Sequence, residues 1–283
     1  MILSLIEKKH SKLTPKFQRI AAYIMINYKY IPVLSSAKLA EDVGVSDASV
    51  IRFCKRLGFM GFLDFKNKLL LEINENDHND SPVEKITRII KQLGENDKEY
   101  AQMLQTEVVN LQFTLTSIDI QTLKNTAVTI SKARKLFIIG FGCSQGIAQL
   151  LDFNFTRGGV DCEVITHGGV YMYERVFKIT EQDAVIMANF PRYSIDLDNV
   201  LNHIKKTRAK TVVITDDPEN KISRMCDHIL TSPCHNPLLP FHSYVGPVSI
   251  CNALLFEYFK QNAEFCEEYL KNYSELSKFY IKN

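Results

Sequence analysis

Apolar residues recur at helical spacing through the first quarter of the chain and give way to short β-rich runs after residue 135. Phe17, Ile20, Ala21, Ile24 and Tyr28 lie three or four apart and predict a helix. Thr14-Pro15 in front supplies its cap and first turn. Pro32 separates it from SSAKLAEDVG, where Ser36 caps, Leu39, Ala40 and Val43 face inward, and Gly44 stops the helix. After Val45 alone, Ser46 caps again and DASVIRFCKRLG runs to Gly58. Two short helices joined by a tight glycine turn are the sequence form of a helix-turn-helix.

Further on, ENDHNDSPVE (75–84) reads as a polar linker with Pro82, and 83–93 as a short helix. Helices are expected over 97–116 and 119–132. Strands are expected at 135–140, 162–166, 183–188, 210–215 and 227–231, with helical stretches near 144–157, 169–178, 195–208 and 218–225 between them. This alternation implies a parallel sheet covered by helices on both faces. Amphipathic helices near 244–261 and 263–281 close the chain. The expected fold is α/β: an all-α helix-turn-helix domain followed by a doubly wound, five-stranded parallel domain. The division is 1–76 for the reader, 77–104 for a linker with short helices, and 105–283 for the sheet domain.

The first strand leads into LFIIGFGCSQGIAQ (136–149), a strand, a glycine turn and a helix start. Gly140, Gly142 and Gly146 do not have the G-x-G-x-x-G spacing of a dinucleotide fold. Asp161 and Glu163 precede or occupy the second strand, where a ribose-binding acid would end it. No P-loop motif occurs. Ser144 at the helix start, with free backbone N–H groups around it, makes a cradle for a single phosphate monoester.

Charge sharpens the division. Residues 1–76 carry 12 Lys and Arg against 7 Asp and Glu, a net of +5, and residues 77–283 carry 22 against 25, a net of −3. The basic excess belongs to the end that reads as a helix-turn-helix, as expected of a nucleic-acid-facing surface. On helix 47–57, Val50, Cys54 and Leu57, with Ala48 and Ile51, form the packed face. Ser46, Ser49, Arg52, Lys55 and Arg56 fall on the other, where a major groove requires hydroxyls and guanidinium donors. Asp47 suits the helix dipole, and Lys66 and Lys68 are phosphate contacts. Seven scattered cysteines without a C-x-x-C pair give neither a disulfide framework nor a zinc site. Cys143 is the exposed candidate among them. No apolar run reaches eighteen residues and MILSLIEKKH is no secretory signal, so the cytoplasm is the expected location and no membrane partner is expected.

The run SSAKLAEDVGVSDASVIRFCKRLGFMGFLDFKNKL resembles the DNA-binding domain of RpiR-type transcriptional regulators. Leu39-Ala40, Gly44-Val45-Ser46, Ser49-Val50, Arg52-Phe53, Leu57-Gly58-Phe59, Gly61-Phe62 and Phe65-Lys66 carry the match. The resemblance implies that Ser46, Ser49 and Arg52 lie at a double-stranded operator; Lys55, Arg56 and Lys66 complete the candidate DNA-binding set. Residues 105–265 resemble the sugar isomerase (SIS) domain, through FGCSQGIA, DAVIMA, VVITDDPENKISRMCDHIL and the HSY before a late helix. This resemblance implies a flavodoxin-like sheet, a phosphosugar effector, and a homodimer or homotetramer.

One loop departs from the family pattern Ser-x-Ser-Gly-x-Thr. Here Asn189, Pro191 and Arg192 replace the serines and the glycine, and Ser194 alone keeps a hydroxyl. Pro removes a backbone donor and losing glycine restricts the backbone, whereas Arg192 offers a guanidinium to phosphate. The loop either clamps phosphate through Arg192 or serves packing or an acidic molecule other than a sugar phosphate. The candidate effector-binding residues are Gly142, Ser144, Gln145, Asn189, Arg192, Tyr193, Ser194, Thr215 and Ser243. Thr215 and Ser243 have helix capping as their alternative. No cofactor, metal or catalytic residue is assigned: His235, His242 and Glu257 are the available bases for an isomerase and form no constellation. The expected function is regulation of sugar-metabolism genes. A phosphosugar isomerase with an accessory domain, and a regulator whose second domain only dimerises, are the alternatives.

Overall fold

The structure, a computed structural model, describes residues 2–28, 31–77, 98–190, 195–236, 238–239 and 241–277, with Val83, Ile86, Thr87 and Ile90. The chain forms two compact units, Met1–Phe113 with His235–Ser243, and Thr114–Cys234 with Tyr244–Asn283.

The first unit opens with five helices: α1 (Ile2–His10), α2 (Pro15–Asn27), α3 (Ser36–Val43), α4 (Asp47–Leu57) and α5 (Phe62–Asp77). Thr14 caps α2 by accepting from Phe17 N–H at 3.4 Å, with Pro15 in the first turn. Ser35, rather than Ser36, caps α3, accepting from Lys38 N–H at 3.0 Å; Ser36 is already the first helical residue. Gly44 ends α3 with φ 69°, and Val45 N–H donates back to Ala40 O at 2.8 Å. Only glycine enters that left-handed conformation without strain. The tight turn between α3 and α4 is therefore set by one residue.

A single apolar core holds these helices. Ile6, Ile20, Ile24, Leu39, Val50, Phe53, Cys54, Leu57, Phe65 and Leu69 are buried together. Phe53 meets the edge of Phe17 with ring centroids 5.7 Å apart, a favoured aromatic geometry. Lys9 on α1 donates to Leu57 O at 3.3 Å, placing a cation on the C-terminal turn of α4. The core face of α4 differs from the sequence reading. Ser49 and Phe53 are buried, Ile51 is half-buried and Ala48 is exposed. Counting back four residues from Phe53 gives Ser49, so the stripe is 49, 50, 53, 54 and 57.

α6 (Lys98–Ser117) runs unbroken across residues 104 and 105, where the sequence division ends the linker. In the second unit, Asp119 caps α7 (Ile120–Lys132), accepting from Gln121 N–H and Thr122 N–H. The strands are β1 (Leu136–Gly140), β2 (Cys162–Ile165), β3 (Ala184–Asn189), β4 (Lys210–Thr215) and β5 (His228–Thr231). They form an all-parallel sheet ordered β2-β1-β3-β4-β5. Between them lie α8 (Gln145–Arg157), α9 (Val170–Val176), α10 (Ile195–Thr207) and α11 (Lys221–Met225); α12 (Val245–Gln261) and α13 (Ala263–Ser277) follow.

Both faces of the sheet are buried, as parallel strands require. Leu136, Ile138, Ile186, Val212 and Ile214 pack with α7, α8 and α12 through Leu123, Ala127, Leu151, Phe155, Ile250 and Leu254. Phe137, Ile139, Val185, Met187 and Val213 pack on the opposite side with α9 and α10 through Met172, Val176, Val200, Leu201 and Ile204. Helices on both faces make the unit doubly wound, with one register fixed throughout: Ile138 lies between Val164 and Ile186, and Ile186 lies beside Val212. The strand order reverses between β1 and β3. In open α/β sheets such a switch point, at the carboxyl ends of the strands, is where ligands bind.

Candidate functional site

The β1 turn and the end of β3 meet at that switch point. After β1, Gly142–Ser144 makes one 3-10 turn and α8 starts at Gln145. Gly140 is required by close approach: a Cβ there would lie 2.7 Å from Ser144 O and 2.9 Å from the Ala148 Cβ. Gly142 is required by its backbone, with φ 54°. An added Cβ at Gly146 meets nothing within 4 Å. The glycines thus set the turn and the helix approach, not a dinucleotide track.

Ser144 is buried, and its Oγ accepts from Phe190 N–H at 3.3 Å, tying the β1 loop to the end of β3. Next to Phe190, Asn189 is 2% exposed, and its Nδ2 has no hydrogen-bond partner among the described residues. A buried amide left unpaired costs about 1–3 kcal/mol, so such a group marks a place where a ligand or an ordered water supplies the acceptor. Tyr244 faces the same loop. Burial, then the neighbouring Cys143 and Cys234, raise its phenol above the ordinary tyrosine range, so the hydroxyl stays a neutral donor. Cys234 Sγ donates to Asp216 Oδ2 at 3.3 Å just beyond β4.

The other candidates are placed differently. Gln145 is half-buried at the start of α8. Thr215 is buried at the end of β4, and its hydroxyl is engaged inside its own loop: Asp217 N–H donates to it at 3.2 Å and Asn220 Nδ2 at 3.4 Å. The helix that follows is capped by Asn220, so Thr215 holds its own loop and does not cap a helix. Ser243 belongs to the first unit, where it donates to Glu107 Oε2; Asn236 Nδ2 donates to Glu107 Oε1 at 2.6 Å. Its hydroxyl is committed to that buried carboxylate, and the N-cap of α12 is Tyr244. Arg192, Tyr193 and Ser194 lie outside the described residues. Tyr244 and Glu107 were not among the sequence candidates. An aromatic next to a helix start is the only local signal for the first, and a lone glutamate in an apolar helix pattern for the second. Glu257 of α12 is buried and accepts from Gln261 at 2.8 Å.

On the reader, Arg52, Lys55 and Arg56 project from α4 into solvent, and none is in an ion pair among the described residues. Ser46 is exposed at the start of α4 but makes no capping bond; its Oγ lies 2.7 Å from Ser49 Oγ. Ser49 is buried and also receives Arg52 Nη2 at 3.5 Å, so it supports Ser46 and Arg52 from beneath rather than facing outward. Lys66 is half-buried, and burial pulls its ammonium below the ordinary lysine range. Lys68 is held by Asp64 at 3.2 Å and lies over the Phe59 ring. Arg52, Lys55 and Arg56 are therefore the available cations of the recognition helix.

Cysteine chemistry is uneven across the chain. Burial pushes the Cys54, Cys162, Cys226 and Cys251 thiols up to about 12, and Cys234 is buried and hydrogen-bonded. Cys143 is exposed in the cradle turn. Native protein is expected to show one fast-reacting thiol toward a maleimide, absent in Cys143→Ser, because thiolate fraction and access control the rate. A fast thiol persisting in that variant would contradict the assignment.

A helix-turn-helix with exposed cations on its second helix, followed by a doubly wound parallel sheet, has the architecture of a two-domain transcriptional regulator. Residues 1–76 match the model for the helix-turn-helix domain of the rpiR family, and residues 129–256 match the SIS domain. The chain thus carries a helix-turn-helix domain of the rpiR family in its first quarter and a SIS domain further on. It is similar to a Haemophilus influenzae protein described as an uncharacterized HTH-type transcriptional regulator, 27% identical over 234 residues covering 82% of this chain and 79% of the relative. Its fold is similar to the sugar isomerase domain of an RpiR transcription factor from Sphaerobacter thermophilus, with TM-score 0.59 and 22% identity over 62% of this chain and 97% of that one. It is also similar to the Vibrio vulnificus NanR protein, solved in complex with ManNAc-6P, with TM-score 0.57 and 18% identity over 100% of each chain. Among the described residues no helix is long and apolar enough to cross a membrane, and no group of three or more His, Cys, Asp or Glu side chains is arranged to hold a metal.

Proposed function

We propose that this regulator senses a phosphosugar at the β1–β3 edge of its sheet and acts as a homodimer on a two-fold operator in the cytoplasm. The observation that carries the reading is Asn189 Nδ2, a buried donor without a partner among the described residues, beside the Ser144 turn. Both groups offer hydrogen bonds to an acceptor-rich ligand at a helix start, where backbone N–H groups favour an anion. Arg192 supplies the guanidinium in this reading. The ManNAc-6P bound by NanR makes hexosamine phosphates the first class to try. No catalytic step is assigned in this reading.

Binding acts by population shift. A ligand held only in one arrangement of the dimer favours that arrangement and changes how the two recognition helices present themselves. The test is thermal unfolding against a panel of hexose, hexosamine and pentose phosphates, with ManNAc-6P included. At one hundred times Kd a ligand adds about 2.7 kcal/mol, which moves the midpoint by roughly 5–10 °C in a domain of this size. Ser144→Ala and Asn189→Ala are expected to reduce the shift. The absence of a shift with every sugar phosphate overturns the reading.

A further inference from the structure

We propose that the corner between α1 and α2 is a second DNA-contact surface, where Lys8 and Lys12 clamp the phosphate backbone beside the groove that α4 enters. This rests on the DNA-binding reading and on the dimer reading above, and it widens the contact beyond the helix-turn-helix. The segment from Glu7 to Arg19, EKKHSKLTPKFQR, sets Lys8, Lys9, Lys12, Lys16 and Arg19 against the single acid Glu7. Lys8, Lys12, Lys16 and Arg19 are exposed. The ion pairs of the reader among the described residues lie elsewhere: Lys38 with Glu41 and Asp42, each at 3.0 Å, and Lys68 with Asp64 at 3.2 Å. The basic excess that remains in solvent is therefore gathered on this corner and on α4.

Folding joins the two groups. Lys9 Nζ donates to Leu57 O at 3.3 Å, so the last turn of α1 abuts the last turn of α4. The corner itself is fastened. Lys12 N–H donates to Lys9 O at 2.9 Å, Leu13 N–H to His10 O at 3.1 Å, and Gln18 Nε2 to His10 O at 3.2 Å. Leu13, 8% exposed, pins the turn to the core that also holds Val50, Cys54 and Leu57. Lys55 and Arg56, exposed near the end of α4, are thus continued by Lys8 and Lys12 at the end of α1. Nothing in the local pattern of either helix announces that continuity.

The chemistry of the corner selects the partner. Lysine is a point charge on a long stem, suited to phosphate oxygens and poor at distinguishing bases. A duplex whose major groove takes α4 carries its phosphates past the ends of that helix. A protein partner finds no anchor here. The apolar residues of the segment are Leu13, which is buried, Pro15, and Phe17, whose ring packs edge-on against Phe53. Interfaces between proteins draw their affinity from buried aromatic and aliphatic anchors.

Lys8→Gln with Lys12→Gln in the full chain tests the clamp. Lys178→Gln with Lys206→Gln takes the same charge from exposed positions of the sheet unit and controls for net charge. The probes are a duplex enriched by the wild type from a random-sequence library and a shuffled duplex of equal length, titrated over a series of salt concentrations. Two phosphate contacts withdrawn from each of two readers should make the log–log salt slope shallower by about 3.6. Near ~0.1 M salt that is a loss on the order of 10³-fold, equal on both duplexes because phosphates carry no sequence. The control pair should keep the wild-type slope, and circular dichroism should be unchanged in both variants. A slope within about 0.5 of wild type for Lys8→Gln with Lys12→Gln overturns the clamp and leaves α4 as the reader. A loss confined to the enriched duplex, or an equal loss in the control pair, also overturns it. A wild type that binds neither duplex overturns the DNA-binding reading and the clamp together.

Discussion

Phe53→Ala is expected to unfold the N-terminal reader and abolish operator binding while the sheet unit keeps its own transition. Phe53 is fully buried among residues from α1, α2, α3 and α5, and its ring meets Phe17 edge-on. Truncating a buried phenylalanine costs about 3–5 kcal/mol, because the cavity adds to the forfeited transfer energy. A helical module near 76 residues has little stability in reserve. The cores of the sheet unit contain none of these side chains. Calorimetry should therefore show the lower-stability transition abolished or shifted down, and the sheet transition within a degree or two of wild type. Phe53→Leu, which retains most of the volume, should fall between. A Phe53→Ala protein that still binds operator would contradict the central role given to this ring.

That residue also shows where sequence reading worked and where it did not. Periodicity and turn chemistry made the helix-turn-helix legible, because Gly44 and Gly58 both take left-handed φ values that stop helices sharply. The five strands were legible because a parallel sheet buried on both faces leaves near-continuous apolar runs. α1 was not expected. MILSLIEKKH has no cap signal, and its helix is held by tertiary burial of Ile2 and Ile6. α5 was also unassigned, although Asp64 in its first turn reaches back to Met60 N–H at 2.8 Å, a capping contact.

At the candidate site, residue type was a good guide to location and a poor guide to availability. Ser49, Thr215 and Ser243 all carry hydroxyls in the right segments, yet each is engaged with another protein group. Short polar side chains bond locally in ways that composition does not reveal. Asn189 is the reverse case. It looked like the loss of a serine from a phosphate loop, and its amide is one of the buried donors without a partner among the described residues. Glu107 and Asn236 come together over a sequence distance no local pattern spans.

Removing two cations from α4 is expected to have the second large effect. Arg52→Ala with Arg56→Ala should weaken operator binding by about 10³-fold or more in a dimer, since a single guanidinium bound to base or phosphate is worth about 1–3 kcal/mol and the two readers together give up four. The residues are four apart, so they lie on one face about 6 Å apart along the axis, and neither is in an ion pair among the described residues. Both are exposed, so folding should change little; unchanged circular dichroism and thermal midpoint are the control. Salt dependence divides the roles. Every cation withdrawn from a phosphate should make the log–log slope shallower by about 0.9, and hence by about 1.8 for one substitution present in two readers. An arginine that instead pairs with a base should leave more of the slope intact and relax sequence preference at one position in each half-site. Arg52, held over Ser49 in the middle of α4, is the one expected to reach a base. Arg56 in the last turn is placed for phosphate. Affinity within threefold of wild type at the same salt would remove α4 from the role of recognition helix.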